Sequence, residues 1–326
     1  MSNPQKILLS GVKPTGRPHI GNYFGALKQF VDLQDEYESF IMIADYHALT
    51  STADATVLRQ DILDVAIDYL AIGLDPEKVV IFQQSAVPEH TELAWIFNCL
   101  TTMPYLARAH AYKDALAKNK EVNVGVFTYP LLMAADILLY DADVVPVGLD
   151  QKQHVEIARD TAEKFNRAFG EIFKLPEALV FDQVKTVIGL DGQKMSKSYR
   201  NTIPLFADER ELKQLVMSIV TDSKGEKEPK NPEECNVFAL HRFFSAKDLS
   251  DLKRRYVNGE IGYRESKEIL FNNMNEYLAP LREKRRGIAT DPGRVVEILR
   301  HGSEKARARA SAKMETVRRA VGVSLR

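Results

Sequence analysis

Residues 128–154 read TYPLLMAADILLYDADVVPVGLDQKQH, and this stretch decides the architecture of the chain. Leu131–Tyr140 predicts a helix with Asp136 near its middle. The helical neighbours of Asp136, three and four positions away, are Leu132, Met133, Leu139 and Tyr140. A carboxylate on so apolar a face is costly unless something hydrogen-bonds it or neutralises it. That partner is either a protein group or an N–H brought by a ligand. Val144–Val147 then predicts a short buried strand ending at Gly148. Asp150 is placed to cap a further helix carrying Gln151 and His154 on one face. Strand, glycine and helix N-terminus in succession is where open α/β sheets place their ligands.

The same alternation extends from residue 7 to residue 205. Ile7–Gly11, Phe40–Ala44 and Val79–Gln83 are short apolar runs that predict buried strands. Helical patterns separate them at about Asn22–Tyr37, Thr56–Ile72 and Thr91–Cys99. The expected fold is therefore α/β, a Rossmann-type doubly wound parallel sheet with helices on both faces. Beyond Pro204 the strand signals fade. Asp208–Val220, Lys247–Val257, Tyr263–Arg286 and Pro292–Val321 have helical periodicity, and Asp222–Asn236 is a polar loop. Two domains are expected, residues 1–207 and an all-helical 208–326, with the last helix a candidate to pack back on the first.

Composition excludes several classes. The chain has 326 residues, 45% hydrophobic and 27% charged, which suits a globular protein with a sizeable core. No apolar run is long enough to span a bilayer, and the apolar run after MSNPQK is too short for a signal peptide. The two cysteines, Cys99 and Cys235, lie far apart and suggest neither a zinc cluster nor a disulfide framework. A cytoplasmic, reducing location is the expectation. The formal net charge of −1 hides an asymmetry: from Arg282 to Arg326 there are 13 Lys and Arg against 5 Asp and Glu. A basic end is an electrostatic hint of a polyanionic partner, but charge mixed with alanine at helical spacing is more often a solvated helix face.

Two short strings flank the first domain. Pro18-His19-Ile20-Gly21-Asn22 lies where the loop after the first strand enters its helix. Gly21 admits close approach of a ligand, and His19 and Asn22 are candidate donors to phosphate oxygens. An ordinary capping histidine is the alternative for His19. Lys194-Met195-Ser196-Lys197-Ser198, preceded by Gly189 and Gly192, places two lysines and two hydroxyls on a glycine-flanked loop. Such a loop suits phosphates whose charge grows during reaction.

HIGN resembles the HIGH motif of class I aminoacyl-tRNA synthetases, and KMSKS is that class's second signature intact. MAADILLY (Met133–Tyr140), VVPVG (Val144–Gly148) and DQKQH (Asp150–His154) are similar to bacterial-type tryptophanyl-tRNA synthetases. So are SGVKPTG (Ser10–Gly16), ADYHALT (Ala44–Thr50) and VTDS (Val220–Ser223), and the likeness runs through nearly the whole chain in order.

The resemblance implies a tryptophan–tRNA ligase that uses ATP with Mg²⁺. Tryptophan is joined to AMP with release of pyrophosphate, then passed to the terminal adenosine of tRNA(Trp). It implies that Asp136 accepts the indole N–H and that Met133 packs on the ring. Tyr129, His47 and Gln151 are then expected around the ammonium and carboxylate. Lys13, Pro14, Thr15, Gly21, Asn22, Gly148, Leu149, Asp150 and Val187 are expected at the nucleotide, with Met195, Ser196 and Ser198. His19, Lys194 and Lys197 are the expected catalytic residues, and no protein-held metal site is expected. The helical second domain is expected to read the anticodon within a homodimer, away from any membrane. Lys13, Leu149 and His19 depart from the commoner family residues, which points to a divergent or auxiliary form. A tyrosyl-tRNA synthetase, and a synthetase-like paralogue that charges no tRNA, are the competing readings.

Overall fold

A computed structural model of the chain describes residues 5–109, 112–113, 122–148, 152–180 and 186–325. Its centre is a five-stranded sheet, β1 (Ile7–Val12), β2 (Glu38–Ile43), β3 (Val79–Gln83), β4 (Val144–Pro146) and β5 (Glu177–Leu179). All pairings are parallel and the order is β3-β2-β1-β4-β5, that of a doubly wound sheet. β5 escaped the sequence reading because it is three residues long, at the sheet edge, and only partly buried.

Register decides what emerges where. Val12 pairs with Ile43 and Ile43 with Gln83, so three strands end in step. Lys13, Asp45 and Gln84 therefore leave the sheet at its carboxyl edge. Asp45 ties two of these exits together. Its carboxylate accepts from Gln83 Nε2 at 2.7 Å, from the Ser85 amide at 2.9 Å and from the Ser85 hydroxyl at 2.5 Å.

The helices that matter below are α1 (Ala55–Ile72), α2 (Glu89–Leu100), α3 (Val124–Leu138) and α4 (Lys152–Phe169), then α5 (Glu209–Met217), α6 (Asn236–Phe244), α7 (Leu249–Asn258), α8 (Tyr263–Ala289) and α9 (Pro292–Ala320). α3 begins seven residues before the expected Leu131. A proline is tolerated best in a first turn, where its missing N–H costs least. Here Asn123 is the N-cap, accepting the Val126 amide at 2.9 Å, and Pro130 lies inside the helix. The expected Asn22–Tyr37 helix is also irregular: Tyr23–Leu27 is a π turn leading into Lys28–Leu33.

The chain forms two compact units that are discontinuous in sequence. One holds Met1–Gly16, Gln29–Phe181 and Asp291–Arg326; the other holds Arg17–Lys28 and Asp182–Thr290. This differs from the expected linear division at residue 207. The sheet lies in the first unit, and α9 packs there against β3. A Cβ added to Gly302 would sit 1.9 Å from the Ile81 carbonyl oxygen, and Ser303 Oγ accepts the Gln83 amide at 3.3 Å. The helix thus covers the open edge of β3. In the second unit Phe24 packs edge-on or tilted against Phe243, Phe244 and Tyr277, which anchors residues 17–28 to α6 and α8. No helix among the described residues is long and apolar enough to cross a membrane.

Candidate active site

In the first unit, the α3 face bearing Tyr129, Met133 and Asp136 (positions i, i+4 and i+7) carries the expected amino-acid residues. Asp136 is 1% exposed and takes three hydrogen bonds from protein groups. Gln84 Nε2 donates to Oδ1 at 2.7 Å, and His90 Nδ1 lies 2.6 Å from the same oxygen. His47 Nε2 lies 2.7 Å from Oδ2. Burial opposes the charge of Asp136, but His47 and His90 outweigh it and hold the carboxyl well below the usual carboxylate range. Of the two partners the sequence allowed, protein group or ligand N–H, protein groups supply three bonds. Three of about four acceptor positions on the carboxylate are used, and the remaining one is on Oδ2.

Around it, His47 and Tyr129 meet edge to face at 6.0 Å, and the Tyr129 hydroxyl lies 2.8 Å from His154 Nε2. Met133 is half-buried against the core. Lys13 donates to Thr50 Oγ1 at 2.9 Å, and that hydroxyl donates to the His47 carbonyl at 2.8 Å. Burial lowers the Lys13 ammonium pKa. Pro14 is buried, while Thr15 and Gly148 are exposed. Leu149, Asp150 and Gln151 lie outside the described residues.

In the second unit the two signature strings meet. The Leu205 amide donates to the Pro18 carbonyl at 2.9 Å and the Ile20 amide to the Ile203 carbonyl at 3.0 Å, so the HIGN loop is stitched to the segment following KMSKS. His19 Nδ1 accepts the Asn22 amide at 3.2 Å, and Asn22 Oδ1 accepts the His19 amide at 3.1 Å. An accepting Nδ1 carries no proton, so the neutral ring holds its proton on Nε2. Burial, reinforced by the charge of Lys197, lowers the His19 pKa to about 4. Gly21 is required by contact: an added Cβ would fall 2.9 Å from His19 Nδ1 and 3.4 Å from Met195 Cβ. Met195 is buried, whereas Lys194, Lys197 and Ser198 are exposed. Val187 accepts the Met195 amide at 3.0 Å and is buried beneath the loop.

The structure thus gathers His47, Tyr129, Met133 and Asp136 in one unit. It gathers His19, Gly21, Asn22, Val187 and Lys194–Ser198 in the other. The sequence reading missed Gln84, His90 and Asn201. The signal for the first two was present: polar residues follow β3 at the sheet edge where Asp45 and His47 follow β2. Asn201 carried none, since only the folded loop brings it against Ser196 and Asp191.

A sheet of this order, with a HIGN loop beside a KMSKS loop, defines a class I aminoacyl-tRNA synthetase, and residues 1–279 match the family described as tRNA synthetases class I (W and Y). The chain is 51% identical to a tryptophan–tRNA ligase of Fusobacterium nucleatum over 97% of each protein. It is 46% identical to one of Rhodopirellula baltica, over 97% of this chain and 99% of that one. The tryptophanyl-tRNA synthetase of Campylobacter jejuni, solved in complex with ADP and tryptophan, superposes with a TM-score of 0.91 at 47% identity, covering 97% of this chain and 99% of that one. The chain belongs to the bacterial-type tryptophan–tRNA ligase family.

Proposed function

We propose that the chain activates L-tryptophan with ATP and passes it to the 3′-terminal adenosine of tRNA(Trp). The observation that supports this reading is the buried Asp136 carboxylate, held ionised with one acceptor position left on Oδ2. An indole N–H suits that position, and a phenyl ring leaves it unpaired, a form of discrimination that needs no editing. Met133 packs on the ring; His47, Tyr129 and Gln151 receive the ammonium and carboxylate. The substrate carboxylate is already ionised at neutral pH and attacks the α-phosphorus, with pyrophosphate leaving. No general base is needed, so catalysis is positioning and charge stabilisation.

Lys13, Pro14, Thr15, Gly148, Leu149, Asp150 and Val187 are assigned to adenine and ribose. Gly21 and Asn22 hold the nucleotide, and His19, neutral with its proton on Nε2, donates to phosphate. Lys194 and Lys197, on the loop of Met195, Ser196 and Ser198, neutralise the leaving pyrophosphate. Mg²⁺ is assigned to the ATP phosphates, where it would add charge neutralisation. Residues 208–290 are assigned to anticodon recognition in a cytoplasmic homodimer.

ATP–pyrophosphate exchange with tryptophan, tyrosine and phenylalanine tests the reading. Tryptophan alone should support rapid exchange. Asp136→Ala should lose it by about two orders of magnitude or more while circular dichroism stays unchanged. Unchanged tryptophan kinetics in that variant would remove the assignment.

A further inference from the structure

His90 lies behind Asp136, fully buried and outside the set of residues assigned to substrate. Its ring is stacked at 6.1 Å on Phe82 and lies 5.6 Å from the Tyr140 ring. Its two nitrogens have different partners: Nδ1 is 2.6 Å from Asp136 Oδ1 and Nε2 is 2.9 Å from the Tyr140 hydroxyl. A neutral imidazole donates from one nitrogen and accepts at the other. A carboxylate accepts only, so Nδ1 carries the proton and Nε2 accepts from the Tyr140 O–H. Gln84, also fully buried, donates to the same Oδ1. Two donors therefore fill Oδ1 from the protein interior, and Oδ2 is the oxygen left for His47 and one further donor.

We propose that the chain Tyr140 → His90 → Asp136 Oδ1, with Gln84 beside it, determines tryptophan specificity: His90 is a positioning residue that fixes which carboxylate oxygen meets the indole N–H. This rests on the reading of Asp136 as the indole acceptor. The Asp136 carboxylate makes His90 Nδ1 the donor; the Tyr140 hydroxyl supports that tautomer by donating to Nε2 and holds the ring in place; the donor locks the carboxylate torsion. Without His90, Asp136 is free to turn about its Cβ–Cγ bond and to share Oδ2 with Gln84. The group most weakened is then the one bond that tells an indole from an isostere lacking the N–H.

The test is ATP–pyrophosphate exchange by the full chain with L-tryptophan and with β-(benzothiophen-3-yl)-L-alanine, which replaces the N–H with sulfur. The readout is the ratio of the two kcat/KM values. In the parent chain the ratio should be large, and Asp136→Asn should collapse it. His90→Leu should lower the ratio by about tenfold or more, through a raised tryptophan KM, with the isostere nearly unaffected. His90→Asn keeps a donor near the Nδ1 position and should restore most of it. Tyr140→Phe, which removes only the hydroxyl and keeps the ring, should lower the ratio by a smaller factor, and it keeps the test open if His90→Leu does not fold. Equal losses for both substrates in His90→Leu and Tyr140→Phe, or an unchanged ratio, would overturn the proposal while a collapse in Asp136→Asn keeps the indole reading standing. A parent chain that does not distinguish the two substrates would overturn both.

Discussion

Asn201 fixes the backbone of the KMSKS loop from outside the motif. Its Oδ1 accepts the Ser196 amide at 2.8 Å, and its Nδ2 donates to Asp191 at 2.7 Å and to the Lys194 carbonyl at 3.2 Å. Gly189 packs on it so tightly that an added Cβ would lie 2.4 Å from its amide. The exposed Lys194 and Lys197 are thus carried on a loop clamped at one buried amide. Asn201→Ala should lower kcat for adenylate formation by about tenfold or more, since a misplacement near 1 Å costs on that order or worse. Tryptophan KM should stay within about twofold, and steady-state exchange measures both. A change in tryptophan KM as large as that in kcat would show that the asparagine serves the fold in general.

Among the elements, α9 turns a charge anomaly into packing. Ala306 and Ala310 are fully buried and let the helix approach. Its cations bind their own unit: Arg309 donates to the Tyr140 carbonyl at 2.9 Å, Lys313 pairs with Asp141 at 2.6 Å and Arg318 with Glu92 at 2.5 Å. The expected solvated helix face therefore does not describe these residues: their charges meet protein acceptors within the same unit. Gly302 is the tightest point of the contact. Gly302→Ala must push α9 away from Ile81 or distort β3, because the obstacle is backbone and cannot rotate aside. A loss of about 1–3 kcal/mol or more in unfolding free energy is expected, measured by denaturant titration. Ala in place of Gly287, a helix position with nothing within contact range, is the control and should cost nothing.

For the whole molecule, the division into two units makes a prediction about pH. His19 and His241 both lie in the unit of Arg17–Lys28 and Asp182–Thr290, and burial lowers each to about 4. His241 is enclosed by Ser245 and Ser266, at 2.7 and 3.1 Å. The unfolded chain takes up these protons near pH 6.5, and the folded chain does so only near 4. The stability is intact above pH 6.5 and falls as pH drops from 6.5 toward 4. It falls by up to ~1.4 kcal/mol per pH unit for each histidine, and the loss from these groups is complete below about 4. Denaturant titrations across that range check it, and His241→Asn should flatten the slope. A slope unaffected by that variant would show that other groups govern it.

The strand–helix alternation, the parallel sheet and the two signature strings were legible in the sequence because each is local: apolar runs, helical spacing and glycines act within a few residues. Asp136 was legible too, as an acid on an apolar face that had to have a partner. The identity of that partner was decided only by tertiary structure. Strand register brings Gln84 and His47 to one sheet edge, and His90 enters from α2, residues 46 to 89 positions away from Asp136 along the chain. The same holds for the cut through the expected first domain. The aromatic packing of Phe24 against Phe243, Phe244 and Tyr277 draws residues 17–28 out of the sheet's unit, and a contact between side chains more than two hundred residues apart leaves no trace in local pattern.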